Sequence, residues 1–283
     1  MHSKLTHIPS ASVILLRQGD SPDGETTEVL LLKKNQKISF GGSWVFPGGR
    51  IDQQDYSNSL ERKLKSTREV DLDSNQMLNL ALSETETPTK AQTTSSFVTE
   101  RNTVVRECHE ETGLDVDPSK LIPISRWKTP PIRPKRFSTV FFVYDANNLN
   151  APVKIDHGEI VDAAWFSIDH VLTLHNEKQL VLSGPAFVTL SILSARSSFN
   201  SVWNFLESLA FAEFTPKIQI SDTGAICLYH GDECYDLIDP ETTSTSQGTL
   251  NLISMAKQQH RLFMHKEQAW VYINNELGIQ PGS

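Results

Sequence analysis

Eight residues, Arg106 to Gly113 (RECHEETG), carry three glutamates, Glu107, Glu110 and Glu111, and one arginine. Like charges three or four positions apart on a helix repel by roughly 0.2 to 0.5 kcal/mol per pair. Arg106 offsets part of that repulsion. A hard divalent cation, which takes several carboxylate oxygens at once, offsets much more. The repulsion is small, so a solvated acidic face and a metal site stand as equal readings of this segment taken alone.

The elements that must position these groups can be read around them. From Phe97 to Thr112 there is neither Gly nor Pro, and Gly113 follows as a helix stop. At about 100° per residue, Glu110 and Glu111 flank Glu107, while Phe97, Val98, Val104, Val105 and Cys108 gather on the adjoining arc. The spacing predicts a helix with one apolar face and a carboxylate edge beside it. Upstream, WVFPGGRIDQQD (Trp44 to Asp55) is an apolar strand running into Gly48 and Gly49, a pair that lets backbone approach a ligand or metal closely.

Joined together, PGGRIDQQD and RECHEETGL resemble the Nudix box of the Nudix hydrolases, in which Gly and an acid precede the sequence Arg-Glu-apolar-any-Glu-Glu-any-Gly-apolar. The second half matches at Arg106, Glu107, Cys108, Glu110, Glu111, Gly113 and Leu114. There are two departures. The first acid is Asp55 where the family has Glu, and the box places the arginine at position 63, whereas here it stands at 106. Between them lie a charged, helix-compatible stretch (Ser59 to Leu82) and a stretch too polar to pack (Ser83 to Ser96), which together read as an insertion at about 57–98 with a flexible tip.

The resemblance implies an α/β fold, an α/β/α sandwich around a mixed sheet, and hydrolysis of a nucleoside diphosphate linked to another moiety. It also implies Mg2+ or Mn2+ held by Glu107, Glu110 and Glu111, with backbone carbonyl help from Gly48 or Gly49. Arg106 would pair with Asp55 and orient the helix, and Gly113 would end it. A base must take the proton of the attacking water. Glu159, just before the strand VDAAWF, resembles the loop glutamate that some members use, although an exposed glutamate without a role is the commoner case. One of the helix glutamates is the other candidate.

The opening SWVFPGG, the insertion, the run RWKTPPIRPKRFSTVFFVY and the later GDECYDL resemble the branch containing the peroxisomal Nudix coenzyme A diphosphatases. Within that run, Lys128, Arg133, Lys135 and Arg136 follow one another without an acid, and three prolines stiffen the loop. Such a loop suits an additional phosphate, such as the 3′-phosphate of coenzyme A; a solvated basic loop is the alternative. Trp127 and Phe137 are rings able to stack an adenine and equally able to be core. The expected substrate is therefore coenzyme A or an acyl-coenzyme A, giving adenosine 3′,5′-bisphosphate and (acyl-)4′-phosphopantetheine. ADP-ribose or a nucleotide sugar, and a catalytically silent binding module, are the alternatives.

The chain has 283 residues and a net charge of −8, which disfavours nonspecific binding to nucleic acid or anionic membrane and points to a small-molecule partner. The three cysteines, Cys108, Cys227 and Cys234, are too few and too scattered for a disulfide framework or a zinc site, although Gly231-Asp232 could form a turn that brings Cys227 and Cys234 face to face. No apolar run is long enough to span a bilayer, and a cytoplasmic location is the default expectation, with peroxisome or mitochondrion allowed by the resemblance. Strands are expected in SVILL, EVLLLKK, SWVF, LIPISRW, FSTVFFVY and VDAAWF. Residues 1–180 read as the Nudix hydrolase domain. Residues 181–283 read as a mainly helical extension packed on the core, with a small β unit and a helical end from Leu252 to Leu277.

Overall fold

A computed structural model of the chain describes residues 7–20, 26–37, 41–56, 97–132, 135–155, 157–243 and 246–280. The charged and polar stretches from Ser59 to Ser96 lie outside these described residues.

Strand β1 (Ile8–Gln18) organises the molecule. Its run from Ser10 to Leu16 is buried on both faces, so side chains alternate between two apolar layers rather than between core and water. Ala11, Val13 and Leu15 face one cluster, together with Leu30 and Leu32 of β2 (Thr27–Lys34) and Val140 and Phe142 of β6 (Phe137–Asp145). Ile14 and Leu16 face the other, with Val29 and Leu31. The strand period of two thus builds both layers from the same residues.

The eight-stranded sheet runs β3 (Trp44–Val45), β2, β1, β6, β5 (Ile122–Lys128), β8 (Ala212–Phe214), while β4 (Gly48–Arg50) pairs with β1 and β7 (Ile160–Ser167) with β2. The pairs β1 with β6 and β5 with β8 are parallel and the rest antiparallel, which makes the expected mixed sheet. Along one edge of β1, β4 meets Ser10 to Ser12 and β2 meets Leu16 to Gln18, so the sheet forks there.

Helix α1 (Val98–Thr112) covers the first layer with Val104 and Cys108, and Gly113 ends it at φ 69°. Arg101 pins the helix to the following loop by donating to the carbonyls of Pro118 and Leu121, at 2.7 Å each. On the other face lie α2 (Ile168–Asn176), α3 (Gly184–Ser194) and α4 (Phe199–Ser208), and Val188, Leu190, Val202 and Leu206 enter the second cluster. The sheet lies between these two helical layers.

A second sheet, β9 (Lys217–Ser221), β10 (Gly224–Leu228), β11 (His260–His265) and β12 (Val271–Asn274), packs on that face through Cys227, Tyr229, Leu262 and Tyr272. Two expectations are corrected here. The end from Leu252 to Leu277 is not one helix: α5 (Gln247–Met255) stops at once, and β11 and β12 follow. Leu262 and Tyr272 are buried on one side of an antiparallel pair, and sheet burial overrides the weak helical spacing. Nor does Gly231-Asp232 close a hairpin between the cysteines, because β10 pairs with β9 and β11 and all three cysteines are free.

Asp232 serves another purpose. Its carboxylate takes the Arg261 guanidinium at 2.7 Å with both side chains inaccessible, and accepts from the backbone N–H groups of Cys234 and His260. Because β8 belongs to the large sheet, residues on either side of 180 share a ladder. Among the described residues no helix is long and apolar enough to cross a membrane.

Candidate active site

Asp55 is almost wholly buried, and its surroundings explain how an aspartate stands where the box has a longer acid. Arg106 donates to both of its oxygens, Nε at 3.1 Å and Nη2 at 2.9 Å, a bidentate pair. The same carboxylate accepts from the Asp52 N–H at 2.8 Å and the Thr103 hydroxyl at 2.9 Å, and Asn102 donates to the Asp55 carbonyl at 3.0 Å. Burial works to raise the Asp55 pKa, but these donors, Arg106 first, outweigh it and hold the carboxyl below its usual range. The shorter side chain is met by Thr103 and Arg106 of α1, and the Asp55 backbone by Asn102.

Arg106 also donates through Nη2 to the Arg50 carbonyl at 3.0 Å, and through Nη1 to Glu107 at 2.9 Å and Glu110 at 3.0 Å. One guanidinium therefore ties together the glycine strand, the first acid and two helix glutamates. Its own pKa is pushed further up, chiefly by Asp55.

The glycines meet the remaining carboxylates. Gly48, at φ 148°, donates its N–H to Glu111 Oε2 at 2.8 Å. Gly49 lies so near Glu107 that an added Cβ would come within 2.7 Å of Glu107 Oε2 and overlap the rest of the carboxylate. Burial raises the pKa of Glu107, with Arg106 opposing. It raises that of Glu111 to about 8, opposed by Lys34 and the Gly48 N–H.

Lys34 has no forecast in the motif, yet its ammonium stands 2.8 Å from Glu159 and 3.9 Å from Glu111. Strand alternation carries the signal: Lys34 follows Leu30 and Leu32 on the face that α1 covers. Glu159 is thereby linked through Lys34 to Glu111 of the helix. It is 57% exposed, whereas the side chain of Glu111 is 9% exposed.

Among the described residues no three Asp, Glu, His or Cys side chains converge as a closed ligand set, and Arg106 and Lys34 engage Glu107, Glu110 and Glu159. The chemistry of the donors nonetheless fits a hard divalent ion. They are oxygens only, they outnumber their internal cations, and one of them, Glu111, is buried with a single backbone hydrogen bond and a lysine at 3.9 Å.

The basic loop stands further off. Ser12 pairs with Gly48 and Ile8 pairs with Phe137, so Phe137 lies four strand residues along β1 from the glycine turn, about 13 Å. Lys128 is engaged by Glu213 at 2.9 Å, Arg136 meets His7 at 3.2 Å, and Lys135 is described beside it, while Arg133 lies outside the described residues. Trp127 is core: it is stacked on Phe214 at 4.1 Å. Phe137 is half-buried at the start of β6.

A family model described as NUDIX domain matches residues 98–183. An acyl-coenzyme A diphosphatase of Xenopus laevis, NUDT19, is 25% identical over 320 aligned positions, covering 87% of this chain and 83% of that protein. The crystal structure of a NUDIX hydrolase from Alicyclobacillus acidocaldarius superposes with a TM-score of 0.53 at 18% identity, covering 74% of this chain and 99% of that one, a likeness of fold. With the box residues gathered around Arg106, the segment 98–183 is thus similar to a NUDIX domain, and the chain as a whole to an acyl-coenzyme A diphosphatase at modest identity.

Proposed function

We propose that this Nudix diphosphohydrolase cleaves the diphosphate of coenzyme A or an acyl-coenzyme A, releasing adenosine 3′,5′-bisphosphate and the (acyl-)4′-phosphopantetheine portion. The observation that carries the hydrolytic reading is the placement of Glu107 against Gly49 and Glu111 on the Gly48 N–H, with Arg106 clasping Asp55. Glu107, Glu110 and Glu111 would hold Mg2+ or Mn2+, with the Gly48–Gly49 backbone at hand. When bound, such an ion shields the diphosphate and activates water. Glu159, on its own loop, is suited to take the proton of that water. Arg106 keeps α1 in register with the glycine strand, and Arg133, Lys135 and Arg136 receive the outlying phosphate.

The substrate reading is supported by the likeness to the Xenopus protein and by the loop chemistry. The second reading is ADP-ribose or a nucleotide sugar, favoured by one observation: Glu213 already neutralises Lys128, which lowers the charge available to a third phosphate. Turnover of coenzyme A, dephospho-coenzyme A, ADP-ribose and NADH with Mg2+ or Mn2+, with products identified by mass, separates them. A charge-assisted contact contributes about 1.5 to 3 kcal/mol, so coenzyme A should exceed its dephospho form in kcat/KM by about ten- to a hundred-fold. That gap should shrink in Arg133→Ala/Arg136→Ala. Indifference to the 3′-phosphate would overturn the coenzyme A reading, and absence of any turnover would leave a binding module.

A further inference from the structure

Unlike Glu107, Glu110 and Glu111, Glu159 is not carried by α1, so its position depends on what holds its loop. The last residue of β2 and the one after it do this. The Asn35 N–H donates to the Glu159 carbonyl at 2.8 Å and Asn35 Nδ2 to the Gly158 carbonyl at 2.9 Å, which anchors the backbone. Lys34 Nζ then donates to Glu159 Oε1 at 2.8 Å, which directs the carboxylate itself. Here the β2–β7 register jumps from Lys33 opposite Asp162 to Lys34 opposite Ile160, leaving Val161 as an extra residue. Such a bulge re-aims side chains, and it brings the Glu159 loop across to Lys34.

The same ammonium reaches toward Glu111 at 3.9 Å, and the lysine side chain is only 14% exposed. Two carboxylates from different elements, which would repel each other, therefore share one lysine. A cation bound by the helix glutamates would feel its repulsion.

We infer that Lys34 is a positioning residue: its ammonium holds Glu159 toward the glutamate helix and takes part of the charge of Glu111, raising turnover while weakening the hold on a divalent cation. This rests on the reading of Glu159 and the helix glutamates as the site.

The test uses the full chain as wild type, Lys34→Met, Lys34→Arg, Glu159→Gln and the Lys34→Met/Glu159→Gln double variant. Turnover is measured at saturating Mg2+, and Mn2+ affinity by calorimetry without substrate. General acid–base groups contribute about 10²- to 10⁴-fold, so Glu159→Gln should slow kcat by about that range, and Lys34→Met by at least about ten-fold with little change in KM. Lys34→Arg, which keeps the charge, should recover part of the loss, and the double variant should be no slower than Glu159→Gln. Mn2+ should bind Lys34→Met about two- to five-fold more tightly, the size of a partly screened charge interaction.

Losses that multiply in the double variant would overturn the inference, as would Mn2+ affinity that is unchanged or weaker in Lys34→Met. Wild-type kcat in Glu159→Gln would remove the residue that Lys34 is said to position, and would overturn it too. If the wild-type protein hydrolyses no diphosphate, the proposed function fails instead, and the Mn2+ titration alone decides the role of Lys34.

Discussion

Adding one methyl group at Gly49 should separate folding from function, and the same change at Gly48 should not. At Gly49 the new Cβ meets the far end of a flexible side chain, the Glu107 carboxylate, while the backbone conformation is ordinary. The carboxylate can swing away. Leaving its rotamer costs about 0.5 to 1.5 kcal/mol, and losing its 2.9 Å contact with Arg106, which keeps Asp55 and Glu110 as partners, costs about another 1 kcal/mol. Stiffening the unfolded chain returns about 0.4 to 1 kcal/mol. The net loss is about 1 kcal/mol, and Gly49→Ala should stay folded. With Glu107 displaced, Mg2+-dependent turnover should fall by up to about 100-fold, the upper end of what misplacing groups around a metal costs. At Gly48, by contrast, the Cβ would sit 2.6 Å from the Ser12 Cα and overlap the Ala11 carbonyl, with φ at 148°. Backbone strain of about 1 to 3 kcal/mol adds to a collision with the central strand, so Gly48→Ala should lose several kcal/mol or fail to fold. Urea unfolding in chelator gives the stabilities, and turnover at saturating Mg2+ gives the function. Near-wild-type rates in Gly49→Ala, or equal destabilisation by the two variants, would refute the reasoning.

Two other outcomes follow from buried charges. Burial raises the Glu111 pKa from 4.5 to about 8, so the folded state binds a proton that the unfolded chain has released, and stability in chelator should fall as pH rises through that window. Glu111→Gln cannot ionise, and its advantage over wild type should grow from pH 5 to pH 8 by up to a few kcal/mol, read from urea unfolding at each pH; a flat difference would contradict the burial. In the second sheet, Asp232→Ala strands a fully buried guanidinium and should cost about 3 to 5 kcal/mol by the same measurement, whereas a loss under about 1 kcal/mol would mean that Arg261 finds water.

Much of the site is legible in the chain because its chemistry is local. Glu107, Glu110 and Glu111 share a helix free of Gly and Pro, and Gly113 marks its end. The Asp55–Arg106 pair is legible only through the family pattern, because the insertion hides its proximity. Lys34 escapes notice because a lysine at the end of an apolar strand ordinarily reads as solvent-facing. Its direction follows from strand alternation, and its partner from a register jump that no composition reveals. Lys128 shows the converse: the basic run looks free of acids along the chain, but β8 brings Glu213 across from eighty-five positions away. The strands β11 and β12 are equally hard to foresee, since their burial depends on pairing with each other and with β10.

The clasp around Asp55 has a consequence for engineering. Residue 55 is bonded to Asn102, Thr103 and Arg106, and Phe97 at the start of the helix is held against the rings of Phe142 and Phe211. The two ends of the insertion are thus fastened by contacts of their own, and the covalent path between them is redundant. Loop-closure cost grows by only about 0.6 kcal/mol per doubling of length, so a foreign domain can be inserted between these two ends. It is equally a place to cut. A fragment ending near residue 56 would carry β1 and β2, and one beginning near residue 97 would carry their partners β6 and β7, so neither owns a finished sheet. Fused to two proteins that associate, the fragments would regain the glutamate site only when brought together, turning hydrolysis into a reporter of that encounter.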